Sequence, residues 1–384
     1  MRSVDHAAPG EKTLRVLALT RYARQGASSR LRTFQFLPFL ETEGFSFDVK
    51  PLFGGDYLET LYGQGERSGA QVGRAYLRRM RTLCSLRRYD LLWIEKELFP
   101  YLPAWAEKAV GALGVPYVVD YDDAIFHRYD LSNQPLVRHL LGRKIDAVMR
   151  GASMVFAGNP YLAERAGTAG ARRVELLPTV VDLNRYSRPD RLAVRPEGSN
   201  LTIGWIGSPT TAKYLQGIAG ALRDLQKRHN VRVLLIGAGD VALNGVATEV
   251  RPWSEEREIA DLHDMDIGVM PLVDTPWERG KCGYKLIQYM ACGTPVVASP
   301  VGVNIDIVTP GLNGYLAETE ADWVETLEAL ILDGGRRGEM GRAGRQLVEK
   351  GYSLQAVVPR LSQLLHAAAS APQCGDVSSV QQQS

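Results

Sequence analysis

Lys281, Lys285 and Gln288 stand four and three residues apart, in a segment that reads as a cationic helix start, an amphipathic helix, a Gly-Thr-Pro turn at 293–295 and a buried strand at 295–299. At that spacing the three side chains share one helix face. Their charge adds to the positive end of the helix dipole, and such a surface suits a pyrophosphate with a neutral, polyhydroxylated neighbour. Residues 201–213 offer a second phosphate-compatible element: a strand, a turn at Gly207-Ser208 and a helix start followed by Lys213. Gly207 lets the backbone approach an anion, although an ordinary strand-to-helix turn of any α/β protein reads the same way. Trp253 closes a short apolar segment and either stacks on a nucleobase or packs in the core. The run Gly237-Ala238-Gly239 fits the relaxed dinucleotide fingerprint. It follows the second strand of its series, and no long helix comes after it, so no nicotinamide cofactor is expected.

The first half of the chain carries acids and arginines. Asp120, Asp122 and Asp123 follow a predicted strand. They can hold Mg²⁺ or Mn²⁺, bond the hydroxyls of a sugar or acceptor, or simply cap the strand. The lysines of the second half can neutralise a leaving pyrophosphate, so no metal is expected. Arg24–Arg32 contains Gly26, Ser28, Ser29, Arg30 and Arg32, which supply a flexible glycine, two possible helix caps and two guanidinium forks for an anion. The blander reading is a solvated helix start. Residues 71–89 hold six arginines and no acid, with Val72, Tyr76, Met80 and Leu83 at helical spacing. That pattern fits either a crossover helix with a solvated basic face or a surface that meets anionic lipid.

Alternating elements must position these groups. Apolar runs at 14–20, 45–53, 90–96, 116–120, 154–157 and 174–177 read as strands, separated by helical stretches such as 28–43, 71–86, 103–113 and 136–150. Residues 184–200 read as a linker, and the alternation restarts at 201–206, 231–236, 267–272 and 295–298. Strands alternating with helices imply βαβ units and parallel sheets. The expected fold is therefore α/β, with two Rossmann-like doubly wound domains facing a cleft: residues 1–190, residues 191–366, and a disordered tail at 367–384. Ligands in such sheets lie beyond the carboxyl ends of the strands.

The 384 residues suffice for two domains, and a net charge of +2 gives no reason to expect nucleic acid as a partner. The four cysteines form no Cys-x-x-Cys pair, so neither a zinc site nor a disulfide framework is expected. No apolar run approaches the roughly 20 residues of a membrane span, and residues 1–13 lack the core of a signal peptide. The expected location is the cytoplasm or the inner face of the cell membrane.

Ile203–Ser208, Asp266–Leu272, Lys285–Val297 and Gly311–Leu316, taken in order, resemble the family 4 glycosyltransferases, enzymes of the GT-B fold. The resemblance implies a retaining glycosyltransferase that moves a sugar from a nucleotide-sugar donor to an acceptor hydroxyl, in polysaccharide or glycolipid assembly. It implies a donor held by Gly207, Ser208, Lys213, Trp253, Lys281, Lys285 and Gln288, and an acceptor, saccharide or lipid-linked, near Gly26, Arg30, Arg32, Asp122, Asp123 and His127. Family members place a histidine after the strand that precedes His127, near the donor sugar, but at a different spacing. They also carry two glutamates eight residues apart where this chain has Gly280 and Gln288. A glutamine amide can still meet a ribose hydroxyl, whereas a glycine cannot replace a carboxylate, which leaves Glu278 as the nearby substitute. Two other readings share the fold: a nucleotide-sugar 2-epimerase, which needs no acceptor, and a nucleotide-sugar-binding protein impaired in catalysis.

Overall fold

Strands that are apolar at every position, rather than at alternate ones, are satisfied only between two layers of helix. In the computed structural model, which describes residues 13–55, 69–186 and 200–370, the strands form two such sheets, both parallel throughout. The first contains β1 (Leu14–Leu19), β2 (Phe45–Val49), β3 (Leu91–Glu95), β4 (Tyr117–Tyr121), β5 (Met154–Ala157) and β6 (Val174–Leu176), in the order β2-β1-β3-β4-β5-β6. The second contains β7 (Leu201–Ile206), β8 (Val231–Ile236), β9 (Thr248–Arg251), β10 (Ile267–Met270), β11 (Val296–Ala298) and β12 (Gly314–Leu316), in the order β12-β11-β10-β7-β8-β9. Each order reverses once, between β1 and β3 and between β7 and β10. Two doubly wound, Rossmann-like units result, as the alternation predicts.

Alternate side chains of the second sheet enter opposite layers. Ile203, Trp205, Val233, Leu235 and Val269 pack with Leu222, Leu225, Trp323 and Leu327 of the helices Ala219–Arg228 and Glu320–Leu332. Ile206, Leu234, Ile236 and Met270 pack with Leu286, Ile287 and Met290 of the helix Tyr284–Ala291. The first unit holds the described residues up to Gly158, then Leu162–Leu177, and again those from Val358 on; the second holds Asn159–Tyr161 and the described part of Pro178–Val357. Arg360 accordingly pairs with Glu175 at 2.7 Å, and the His366 ring lies 4.6 Å from Phe45, both within the first unit.

Two expected helices are broken in the structure, and one helix was not expected. The stretch 28–43 breaks into Ala27–Ser29, a π-type turn Arg30–Phe34 and Leu37–Thr42, because Pro38 cannot donate inside a continuous helix. The stretch 136–150 splits into Pro135–Leu141 and Lys144–Gly151 at Gly142, where a Cβ would meet the Arg138 carbonyl at 2.4 Å. A helix at Leu354–Ala369 contains Pro359 and reaches into the stretch read as tail. The rest of that tail, and most of the expected linker, lie outside the described residues. The basic helix runs over Gly69–Leu83, and Arg79 points inward, donating to the carbonyls of Thr20 and Lys50 at 2.8 and 2.9 Å.

Candidate functional site

In the second unit the sheet reverses between β7 and β10, so their carboxyl ends are where a ligand is accommodated. β7 ends at Gly207. A Cβ there would lie 2.5 Å from the Trp205 ring and 2.8 Å from Lys285 Cε, so only glycine fits beneath the lysine stem. Lys285 Nζ sits 5.0 Å from the centroid of that ring, a cation–π contact. Gly237, at the end of β8, has φ +71, and a Cβ there would lie 2.4 Å from the Gly207 carbonyl and 3.0 Å from Trp253 Cβ. Gly207, Gly237, Trp253 and Lys285 therefore converge on one spot. Ser208 caps the short helix Pro209–Ala212, its backbone N–H donating to Thr211 Oγ1 at 3.3 Å.

Two further networks engage expected site residues. Glu278 accepts from the hydroxyls of both Tyr214 and Thr275, and Lys213 Nζ stands 5.1 Å over the Tyr214 ring. Gln288 is 3% exposed and donates to the Tyr186 hydroxyl at 2.9 Å. That hydroxyl donates to Glu258 at 2.8 Å, and the other oxygen of Glu258 accepts from Trp253 Nε1 at 2.8 Å. The chain Gln288–Tyr186–Glu258–Trp253 fixes the half-buried indole. Asn159 Nδ2 donates to the Lys281 carbonyl at 2.9 Å and so fixes the backbone before the helix. Gly283, at φ +64, starts that helix in a left-handed conformation that leaves no room for a Cβ beside Ile307.

In the first unit the sheet reverses between β1 and β3. The loop after β1 is strapped to β3 by Glu95, which accepts from the Arg21 N–H at 2.8 Å and from Ser29 Oγ at 2.6 Å. Gly26 sits where a Cβ would meet Tyr22 Cβ at 2.5 Å. Lys96 directly follows β3 with φ +65, an uncommon conformation for a side chain of its size. Its ammonium lies 2.8 Å from Asp122 and 3.7 Å from Asp123, and Ser28 Oγ donates to Asp122. The opposed carboxylates favour the charged lysine and raise its pKa against the opposing effect of burial. One residue further, Glu97 accepts from Lys144 at 2.6 Å and from the Tyr129 hydroxyl at 2.7 Å, both buried.

Family models match most of the chain: one described as Glycosyl transferase 4-like domain over residues 13–179, and one described as Glycosyl transferases group 1 over residues 200–333. The chain belongs to the GT4-type glycosyltransferases. Among curated relatives, D-inositol 3-phosphate glycosyltransferase of Arthrobacter sp. (strain FB24) is 32% identical over 153 residues, 39% of this chain and 34% of that one. The same-named protein of Nocardia farcinica (strain IFM 10152) is 27% identical over 194 residues, 44% of this chain and 42% of that one. The matches thus span about a third to two fifths of the length of these relatives. Among solved structures, sucrose-phosphate synthase from Thermosynechococcus elongatus superposes with a TM-score of 0.66 at 13% identity, covering 92% of this chain and 98% of that one. HepE of Anabaena, in complex with UDP, superposes with a TM-score of 0.65 at 14% identity, covering 92% and 100%. These likenesses establish the GT-B fold.

The GT4-type chain places its expected site residues unevenly. Gly207, Trp253 and Lys285 come together, with Ser208 following Gly207 in the same turn. Lys213 is exposed on the adjoining helical turn. Gln288 and Glu278 lie deeper, each with a protein partner already in hand. In the first unit Ser28, Asp122 and Asp123 meet around Lys96, while His127 stands on the next helical turn, its Nδ1 2.8 Å from Asp130. Arg30 and Arg32 are buried rather than presented at the surface. The Arg32 fork grips Asp120 at 2.7 and 3.0 Å and the Leu177 carbonyl at 2.8 Å. Asp120 is therefore engaged by an internal cation, and burial pushes its carboxyl up to about 6 despite Arg32. Lys96 and Tyr214 escaped the sequence reading. The charged triplet 95–97 directly after four buried apolar residues is a usable signal for the first; Tyr214 leaves none.

Proposed function

We propose that the chain is a retaining glycosyltransferase that moves a sugar from a nucleotide-sugar donor to an acceptor hydroxyl in polysaccharide or glycolipid assembly. The observation that carries this reading is the convergence of Gly207, Gly237, Trp253 and Lys285 beyond the strand ends at the reversal of the second sheet. Bare backbone at two glycines lets a diphosphate approach closely, and Lys285, with Lys281 four residues before it, supplies positive charge. Trp253, held by Glu258, offers a fixed aromatic surface to the base. HepE of Anabaena is solved with UDP and with UDP-glucose, which makes a uridine nucleotide the first donor to test.

The acceptor belongs to the first unit, where Asp122, Asp123 and Ser28 around Lys96 can bond hydroxyls, with His127 close by in sequence. In the transfer the bond from the anomeric carbon to the diphosphate oxygen breaks and a bond to the acceptor oxygen forms. The acceptor proton passes to the departing phosphate oxygen, whose charge the lysines stabilise. Glu278, which accepts from Tyr214 and Thr275, is the carboxylate we assign to the sugar hydroxyls in place of the family's first glutamate. The basic helix Gly69–Leu83 brings the protein to a membrane-borne, anionic acceptor.

Incubation with nucleotide sugars, with and without saccharide or lipid-linked acceptors, tests the reading. Acceptor-dependent release of nucleoside diphosphate supports it, whereas conversion of the donor sugar without acceptor would assign an epimerase. The lysines take the role of a metal, and Arg32 and Lys96 already occupy Asp120 and Asp122. Activity is therefore expected to survive EDTA. Complete loss restored by Mn²⁺ would contradict this.

A further inference from the structure

Four side chains of the second unit form one hydrogen-bonded chain, and its protons can run in one direction only. Trp253 Nε1 donates to Glu258 at 2.8 Å, the Tyr186 hydroxyl donates to the other oxygen of Glu258 at 2.8 Å, and Gln288 Nε2 donates to the Tyr186 hydroxyl at 2.9 Å. An indole N–H can only donate, so Glu258 must accept at that end. A carboxylate only accepts, so the single proton of Tyr186 goes to the other end of Glu258. Burial, then Tyr284 and Glu258, raise the Tyr186 pKa well above the usual range, and the hydroxyl keeps its proton. The Tyr186 oxygen is left with lone pairs alone for Gln288, and the carboxamide must meet it with its NH2 group. The amide oxygen is thereby turned away from Tyr186, and among the described residues no donor answers it.

Both ends of this chain stand at the candidate site. Trp253 lies against Gly237, where an added Cβ would come within 3.0 Å of the Trp253 Cβ. Gln288 follows Lys285 by one turn of the helix Tyr284–Ala291 and shares its face. The middle of the chain is fixed. Glu258 and Tyr186 are 5% and 2% exposed, and Arg345 Nη1 donates to the carbonyls of Tyr186 and Ala291 at 2.6 and 2.5 Å, which ties Tyr186 to the end of that helix. We infer that Glu258 and Tyr186 are positioning residues of the nucleotide site: the direction of their hydrogen bonds turns the Gln288 amide oxygen to a hydroxyl of the bound nucleotide, and makes an amide the group required at position 288. The inference rests on the proposed nucleotide-sugar site and adds two residues that act through Gln288 and Trp253.

A carboxylate at position 288 would face the Tyr186 oxygen with no proton between them, because that proton is committed to Glu258. Exchanging acid and amide across Tyr186 removes the conflict. An amide at position 258 accepts from Trp253 through its oxygen and donates to Tyr186 through its NH2 group, which releases the Tyr186 proton to the carboxylate at 288. Every bond of the chain survives, the two at Tyr186 in reverse, and position 288 again presents an acceptor oxygen.

The test is calorimetric titration with UDP, GDP, ADP and dTDP, the tightest serving as the probe, together with thermal unfolding of the ligand-free protein. Q288E should weaken binding of the probe about tenfold or more and lower the unfolding temperature. Q288E/E258Q should regain most of the lost affinity and unfold at a higher temperature than Q288E. A merely structural loss at 288 would be deepened, not relieved, by a second buried substitution. Wild-type affinity in Q288E overturns the inference, and so does a double variant that binds no better than Q288E. If Q288E is too unstable to titrate, the unfolding temperatures decide, and a double variant no more stable than Q288E overturns it. Wild type that binds none of the four nucleotides overturns the nucleotide site itself, whereas a wild type that binds and a double variant without rescue overturn only the positioning roles.

Discussion

Replacing Lys285 with alanine is expected to weaken binding of a nucleoside diphosphate about ten- to a hundredfold, the equivalent of a charge-assisted phosphate contact of about 1.5–3 kcal/mol. The stem of Lys285 crosses Gly207, and its ammonium lies over Trp205, at the carboxyl end of the strand beside which the sheet reverses. Methionine keeps most of the stem and removes the charge, so Lys285→Met separates the packing of the side chain from its electrostatics. Both variants should bind nucleotide weakly in a calorimetric titration, while Lys285→Met should unfold at a temperature near that of wild type. Lys281→Ala should lower affinity in the same direction. Unchanged affinity in the Lys281 and Lys285 variants alike would sink the placement of the phosphates.

Asp120→Ala is expected to lower the stability of the protein by about 3–5 kcal/mol, because it strands a buried guanidinium. Arg32 and Asp120 are each 1% exposed, and Asp120 receives two of the arginine's hydrogen bonds. The pair links the π-type turn after β1 to the end of β4. Removing one partner leaves the other charge without its compensation, whereas removing both leaves mainly a cavity. The double variant Arg32→Met with Asp120→Ala should therefore be more stable than Asp120→Ala alone. Denaturant midpoints at constant slope measure the difference. A loss below about 1 kcal/mol for the single variant would show that the pair contributes little.

Much of the fold was legible because the strands are buried on both faces and read as unbroken apolar runs. Leu91–Ile94 and Met154–Ala157 needed no periodicity argument. The helix breaks were less visible: Pro38 and Gly142 were in plain view, but each lies inside a longer amphipathic pattern that outweighed it. On the site, spacing placed Lys285 and Gln288 together on the helix Tyr284–Ala291, but Lys281 lies before the left-handed Gly283 that starts the helix and so is not on its face, and spacing could not identify the partners. Gln288 reads as a polar group awaiting a ligand, and its amide is answered by Tyr186, 102 residues earlier. Arg79 sits in a run that reads as a solvated basic face, yet it is 2% exposed and holds two carbonyls of distant segments. Lys96 was hidden for another reason. Its left-handed backbone and its pairing with Asp122 are tertiary facts; the charged triplet 95–97 marks the place in the sequence but not the pairing.

The measurement that bears most directly on the account is thermal unfolding of the protein across a panel of nucleoside diphosphates and nucleotide sugars. A ligand that binds only the folded state stabilises by mass action, by about 2.7 kcal/mol at a hundred times its Kd. The account predicts that at least one nucleoside diphosphate raises the transition temperature, that its sugar conjugate does so as well, and that Lys285→Ala loses most of the shift. A protein whose unfolding responds to no member of the panel at millimolar concentration would contradict the assignment of a nucleotide-sugar site to the second unit.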